Sequence, residues 1–489
     1  MPQRAGYWSK AQVKLLLVHG YFLKRDLQEQ KVMKPYPPLG LLYLSASLKK
    51  AGHDVSVFDG TFADIPDFKR ELDRFRPKVV GFYANMMTRH HVLALHELIT
   101  DPHIVTVVGG PDPPHYAEDY LDRGFDAIIV GEGETALTQW LHSLLDQSQW
   151  ETIPGLIYRA DGQTVKNPSP KPTTPLDQFP FPDRGAIDLN LYLDCWEKHH
   201  GIRPISLITS RGCPFQCTWC SHNVYGYSLR KRSPENVLEE MAWLQAHYRF
   251  DSYWFADDVF TIQSRWIFQF REALSSHPEL VKPFECISRA DKLDPDIICA
   301  LKALKCRRLW VGAESGSQRL LDLMKRGVKR NQVIEAVRNL RAAGIQSGMF
   351  FMWGFMDESL EDVLETVSLA EACEPDIALT TVAYPIRGTR FFQSLEAKGA
   401  LAPALPFDQG TDRDLGIETQ ADPALYHLAN RYLHLRLGAV RLSRGSAIQR
   451  LKGLLQTLRG RLVLNKLSTG FADHITELNQ KKTQETVTQ

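Results

Sequence analysis

Cys213, Cys217 and Cys220 stand in the run Ser210-Arg211-Gly212-Cys213-Pro214-Phe215-Gln216-Cys217-Thr218-Trp219-Cys220. Spacings of three and then two residues let three thiolates wrap one face of a cubane iron–sulfur cluster. A closed cubane takes four cysteines, so the fourth iron is left open to another ligand. Zinc is the competing reading, and it wants a fourth Cys or His. His222 is the nearest candidate but follows Cys220 by only two residues, which leaves the cluster as the stronger reading.

The chain around the triplet alternates strand and helix signals. Ile205–Thr209 is a strand that delivers the chain to Cys213, and Ser233-Pro234-Glu235 opens a helix with an N-cap and proline at the first position. Further strands are expected at Ser252–Phe255, Phe284–Ile287, Arg308–Val311, Gly348–Trp353 and Ile377–Ala383. Helical stretches Arg265–Leu274, Pro295–Leu304, Asn331–Ala343 and Leu360–Cys373 lie between them. Six βα units predict an open relative of the eight-stranded α/β barrel, with its site at the carboxyl ends of the strands. Polar residues cluster there: Asp257 and Asp258 after the second strand, Ser288 and Arg289 after the third, Glu314 after the fourth, Gly354 and Phe355 after the fifth. Each alone reads as a helix cap or surface charge; their joint placement behind the cysteines is the signal.

The first 145 residues predict a second sheet. Short apolar runs at Val13–Val18, Asp54–Phe58, Lys78–Tyr83, His103–Val108 and Asp126–Val130 end in Asp59-Gly60, Gly109-Gly110-Pro111 and Gly131-Glu132-Gly133-Glu134. A helix is expected over Gly40–Lys50. Five strands with crossover helices imply a parallel, doubly wound sheet, with ligands beyond the strand carboxyl ends.

The cysteine spacing, with Trp219 before the third cysteine, resembles the radical SAM superfamily. The segments around Asp257, Ser288, Glu314 and Gly354, together with Tyr384-Pro385-Ile386-Arg387-Gly388-Thr389, resemble its other motifs. The resemblance implies a 4Fe–4S cluster whose open iron is chelated by S-adenosyl-L-methionine. Asp257 or Asp258 would meet the cofactor's ammonium and Arg289, near Ser288, its carboxylate. Glu314 would meet the ribose, and Gly354 with Phe355 the adenine. The first half is similar to the cobalamin-binding domain that precedes many radical SAM domains, on Pro37-Pro38-Leu39-Gly40, Asp59-Gly60, Gly109-Gly110-Pro111 and Gly131-Glu132-Gly133-Glu134. The candidate cobalamin contacts are therefore Pro38, Leu39, Gly40, Asp59, Gly60, Gly109, Gly110, Gly131, Glu132 and Gly133. One departure matters. The lower-ligand motif Asp-x-His-x-x-Gly is begun by Asp101-Pro102-His103, but Thr106 stands where its glycine belongs and His103 is expected to open a strand. Cobalamin is thus expected without a histidine on cobalt.

Net charge is +1, so no global field recruits nucleic acid. Eight cysteines in 489 residues make no disulfide framework. Met1–Lys10 has no apolar signal core, no run of about 18 apolar residues occurs, and the cluster needs a reducing compartment; a cytoplasmic chain is expected. Cys286, Cys299, Cys306 and Cys373 read as core residues, Cys195 as a weak site candidate, and Met86-Met87 as space-filling. The facing of Glu285 is open.

The expected organisation is a cobalamin-binding Rossmann-like α/β domain over 11–148, then a hairpin and proline-rich linker over 149–188. A radical SAM (β/α)6 partial barrel over 189–399 and a helical C-terminal segment over 400–489 complete it. In that last segment Asn430–Lys466 carries nine basic residues and no Asp or Glu, with leucines interleaved. A solvated face, contact with an acidic substrate and peripheral membrane contact are its three readings. The reading as a whole is a cobalamin-dependent radical SAM enzyme methylating an unactivated carbon of a small-molecule or lipid substrate, with an external electron donor of flavodoxin or ferredoxin type. Oxidative cyclisation, a vestigial first domain, and a cluster- or cobalamin-based sensor are the alternatives.

Overall fold

The computed structural model describes residues 12–144, 147–221 and 224–488, with side chains through 480. Met1–Lys10, read above for a signal, and His222, the zinc candidate, lie outside the described residues.

The chain divides into two compact units: Met1–Pro214 with Ser221–Trp254 and Leu405–Arg413, and Phe215–Cys220 with Phe255–Ala404 and Asp414–Gln489. The first unit is built on a sheet of β1 (Lys14–His19), β2 (Asp54–Asp59), β3 (Val79–Tyr83), β4 (Val105–Gly109), β5 (Ala127–Ile129), β6 (Leu156–Ala160) and β7 (Gln163–Lys166). Their order is β2-β1-β3-β4-β5-β6-β7. β1 to β5 pair in parallel, and β6 and β7 are antiparallel additions. The hairpin expected beside the proline-rich linker is thus an extension of this sheet. His103 precedes β4 in an exposed turn rather than opening the strand.

Residue period two explains why the strands read as continuous apolar runs. Leu15, Leu17, Val55, Val57, Val79, Val105 and Val107 face one core. Leu16, Val18, Phe58, Val80, Phe82 and Val108 face the other. A sheet covered on both faces offers ligands only its ends. Chain order reverses between β1 and β3, the position where doubly wound sheets open a crevice.

Further along are β8 (Pro204–Leu207), the short pair β9 (Ser210–Arg211) and β10 (Arg230–Lys231), then β11 (Ser252–Phe255), β12 (Phe284–Ser288), β13 (Cys306–Glu314), β14 (Gln346–Trp353) and β15 (Ile377–Val382). The second sheet runs β15-β14-β13-β12-β11-β8, so spatial order follows chain order as in a partial barrel. β12 to β15 pair in parallel. The helix Pro234–His247 starts as its sequence predicts: Ser233 Oγ accepts from the Asn236 amide at 3.2 Å, with Pro234 at the first position. Its Glu240 is fully buried between Arg184 and Arg232, so the carboxylate is not left an uncompensated buried charge.

Candidate functional site

In the first unit a cavity of about 420 Å³ opens where β1 and β3 end, lined by Leu17, His19, Gly81 and Tyr83 among others. Pro38, Leu39, Gly40, Gly109, Gly110, Gly131, Glu132 and Gly133 all line it. The glycines do different work. A Cβ on Gly40 would meet no protein atom within 4 Å, so its bare Cα faces open space. Gly110 has φ +114°, and its Cβ would lie 2.3 Å from the Ala84 carbonyl oxygen, so it is required by the backbone itself.

Asp59 and Gly60 stand apart from the lining. Asp59 is engaged internally: it accepts from Tyr192 Oη at 2.6 Å and Thr61 Oγ1 at 2.8 Å, and its Oδ1 lies 3.1 Å from His19 Nδ1. Burial works to raise its carboxyl, but the His19 ring, the Tyr192 hydroxyl and the Thr61 amide outweigh it and hold it below its ordinary value. Gly60 packs against the carbonyls of His19 and Tyr21. His19 itself lines the cavity; position at a strand end was the only sequence signal for it. Arg211 and Tyr225 also line it, from a stretch where the sequence marks no element beyond the cysteines. Arg211 Nη2 donates to Glu134 at 2.6 Å, and Arg230 Nη1 donates to Glu132 at 2.9 Å, so the two acidic residues of the Gly131–Glu134 turn are both neutralised.

In the second unit, Phe215–Cys220 forms a compact loop. The Thr218 amide donates to the Met324 carbonyl and the Phe391 amide to the Thr218 carbonyl, each at 2.9 Å. Cys217 is buried. Arg289 Nη1 donates to its sulfur at 3.9 Å and Arg326 Nη1 at 3.7 Å. The rest of the Arg289 fork is taken: Nε donates to Asp291 at 2.9 Å, Nη2 to the Arg326 carbonyl at 2.7 Å, and the guanidinium lies 3.5 Å from the Phe215 ring centre. The fork thus engages both the cysteine loop and the carboxylate of Asp291. Arg326 was missed, since it arrives from a turn that carries no motif.

Glu314 ends β13 with φ +62°, next to a register shift between Gly312 and Glu314. A non-glycine residue held there is strained, and such strain concentrates at functional positions. Burial pushes its carboxyl up, against the opposing pull of Arg326 and Arg289. Asp257 is buried and Asp258 exposed. Ser288 hydrogen-bonds Thr261. Gly354, at φ +72°, donates its amide to Glu358 at 2.6 Å and accepts from Gln420 at 2.8 Å. Phe355 is stacked on Phe391 inside an apolar cluster with Met324 and Met352, so its ring is core. Glu358 was missed because a buried carboxylate leaves no mark in an apolar pattern.

The lesser expectations divide. Cys286, Cys306 and Cys373 are buried, while Cys299 is exposed on its helix. Cys195 Sγ faces the Met33 carbonyl. Glu285 is tied to β13, accepting from Trp310 Nε1 at 2.9 Å and Arg308 Nη1 at 3.2 Å.

Residues 30–141 match the B12 binding domain, and residues 207–370 match the radical SAM superfamily. The chain carries a B12 binding domain followed by a radical SAM domain. It is 29% identical over 373 residues to an uncharacterized methyltransferase, PH0819, of Pyrococcus horikoshii, covering 75% of this chain and 80% of that protein. It is 25% identical over 376 residues to the anaerobic magnesium-protoporphyrin IX monomethyl ester cyclase of Synechocystis sp., covering 73% and 72%. Its fold is shared with the radical S-adenosylmethionine methyltransferase TsrM from Kitasatospora setae, solved with cobalamin and a [4Fe-4S] cluster bound. That likeness has TM-score 0.67 and 17% identity, over 94% of this chain and 100% of that one.

The cofactors of the radical SAM protein are the 4Fe–4S cluster, S-adenosyl-L-methionine and cobalamin. Among the described residues no three His, Cys, Asp or Glu side chains are gathered at metal-sharing distance. The chemistry of the loop nevertheless fits an anionic cluster. Two guanidiniums aim at Cys217, and Thr218 Oγ1, Trp219 Nε1 and Arg326 Nε are buried without a hydrogen-bond partner among the described residues. Buried polar atoms of that kind call for a missing partner, which cluster sulfides and thiolates supply. The first-unit cavity fits a cobalamin cradle through the open face at Gly40 and its place at the strand-order reversal.

Proposed function

We propose that this chain methylates an unactivated carbon of a small-molecule or lipid substrate. When bound, the cluster and S-adenosyl-L-methionine supply a 5′-deoxyadenosyl radical to abstract hydrogen, and cobalamin supplies the methyl group. Cys213, Cys217 and Cys220 hold the cluster. Arg289 and Arg326 steady the Cys217 thiolate by charge-assisted hydrogen bonds, which are stronger than neutral ones. Asp257 or Asp258 receives the ammonium of S-adenosyl-L-methionine, Glu314 its ribose, and the Gly354 backbone its adenine. Pro38, Leu39, Gly40, Gly109, Gly110, Gly131 and Gly133 form the cobalamin cradle. The observation that carries this reading is the cavity at the β1–β3 reversal, because a preserved cradle argues against a vestigial first domain.

On this reading the domains run over 11–148, 149–188, 189–399 and 400–489. An external donor of flavodoxin or ferredoxin type reduces the cluster, and the cytoplasm provides the reducing compartment. No helix among the described residues is long and apolar enough to cross a membrane. Cobalamin is held without His103. His19 is the histidine that lines the cavity, so nitrogen hyperfine in the cob(II)alamin spectrum that vanishes in His19→Ala would assign it to cobalt.

The second reading is oxidative cyclisation, favoured by the relative from Synechocystis sp. Isotope transfer separates the two. In anaerobic turnover with methyl-labelled S-adenosyl-L-methionine, label should appear in product together with 5′-deoxyadenosine. Unlabelled product with 5′-deoxyadenosine would replace methylation by cyclisation.

A further inference from the structure

The C-terminal helix Ala447–Thr488 carries two apolar faces. One is covered. Gly453, Gly460, Val463, Leu467 and Phe471 are buried. A Cβ on Gly453 would touch Ala439 and Leu442, and one on Gly460 would touch Tyr432 and Arg436, so this face lies on the helix Pro423–Ser443. The other face is open. Ile448 is 69% exposed, Leu451 61%, Leu454 61%, Leu455 51%, Leu458 54% and Leu462 66%. At 3.6 residues per turn the open stripe is centred roughly 160° from the covered one.

Charge brackets that stripe. On the same helical projection Arg450 and Arg461 fall along one edge, and Lys452, Arg459 and Lys466 along the other; all five are exposed. Three of the basic residues that precede this helix have partners: Arg436 donates to Glu371, Arg444 to Glu374, and Arg441 to the Pro375 carbonyl. None of the five beside the stripe makes an ion pair with a described residue, and no Asp or Glu lies between Asn430 and Lys466.

We infer that this face is a peripheral docking surface for an anionic bilayer. Leucines entering the acyl boundary with Lys and Arg reaching phosphates on both sides is the arrangement of an interfacial amphipathic helix. Each basic side chain near the surface adds electrostatic attraction to anionic headgroups. A second copy of the chain is disfavoured by the same charges, because pairing two such stripes would set basic edge against basic edge. A nucleic acid would meet the cations but leave the six apolar side chains in water. The inference rests on the helix alone and stands whether the chemistry is methylation or cyclisation.

Vesicle flotation of the full chain under anaerobic conditions tests it, with vesicles of phosphatidylcholine alone or containing about a third phosphatidylserine, a leaflet-like anionic surface. Binding to the anionic vesicles alone, weakened by added salt, is expected. The triple variant Leu451→Gln, Leu455→Gln, Leu458→Gln should bind at least ~10-fold more weakly, since burial of apolar area drives insertion. Arg450→Gln with Lys452→Gln and Arg459→Gln should erase the preference for phosphatidylserine. All six positions are exposed, so an unchanged thermal midpoint and cluster content certify the fold of both variants. Absence of binding to anionic vesicles at low salt would overturn the inference, as would wild-type binding by the leucine triple. So would a concentration-dependent dimer in sedimentation that the leucine triple abolishes while no vesicle binding is seen.

Discussion

The guanidinium of Arg289 donates to the sulfur of Cys217 across 3.9 Å, in a pocket where the arginine is 1% exposed. Arg326 reaches the same sulfur at 3.7 Å. On the proposed ligation, two buried cations beside Cys217 stabilise it as a cluster ligand and favour an added electron on the cluster. Arg289→Ala should therefore retain less iron and sulfide and lower the cluster's midpoint potential. A hydrogen bond to a charged group is worth about 1.5–3 kcal/mol. Arg289→Lys keeps the charge but loses the fork, and should fall between the two. Wild-type cluster content and potential in Arg289→Ala would remove the arginine from this role.

On the proposed ligation, replacing Cys213, Cys217 or Cys220 singly by Ala leaves an iron short of a thiolate. Each variant should lose the absorbance of the reconstituted cluster and the cleavage of S-adenosyl-L-methionine to 5′-deoxyadenosine, while corrinoid retention by the first unit persists. Intact cleavage in any of the three would exclude that cysteine as a ligand.

Gly40 separates a ligand requirement from a folding requirement. Its Cβ would point into open space, and it lies in the helix Leu39–Lys50. Gly40→Ala should raise stability by up to ~1 kcal/mol through helix propensity. Gly40→Leu should fold but project into the cavity and release cobalamin, read as corrinoid retained after gel filtration. Gly110→Ala should instead destabilise the chain, because φ +114° and the Ala84 carbonyl leave no room. Corrinoid retention by Gly40→Leu equal to wild type would remove Gly40 from the cradle.

Much of this was legible in the sequence, for definite physical reasons. Strands buried on both faces, such as Leu15-Leu16-Leu17-Val18, write themselves as apolar runs, and the turns that end them must be glycine-rich. The cysteine spacing is local chemistry and needs no fold to be read. What stayed hidden depends on tertiary approach. Arg326 meets Cys217 across 109 residues of chain, and His19 meets Asp59 across 40; neither pair has a local signature. Arg289 was found by position, but a strand-end arginine does not announce which protein acceptors the fold brings to it. The hairpin Leu156–Lys166 was visible as a hairpin, but its joining β5 is set by edge pairing, which no local pattern encodes.

Glu358 supplies a pH signature. It is 6% exposed, its Oε2 accepts from the Gly354 amide at 2.6 Å, and desolvation pushes its carboxyl up to about 8, the Gly354 bond working the other way. Between the ordinary glutamate range and that value the folded chain holds a proton that the unfolded chain has released. Its contribution to stability is therefore complete below about pH 4.5 and lost as pH rises through about 8. The slope in that window is up to ~1.4 kcal/mol per pH unit. Asp362 does not share the window: burial pushes its carboxyl up, but Arg319, Ser317 and Ser359 hold it at about 2. Glu358→Gln is neutral at every pH and keeps an oxygen for the Gly354 amide. The thermal midpoint of the wild-type chain should fall between pH 6 and pH 9 relative to that of Glu358→Gln, with the gap widening toward the alkaline side. Parallel midpoint curves for the two proteins across that range would show that Glu358 is already ionised in the folded chain.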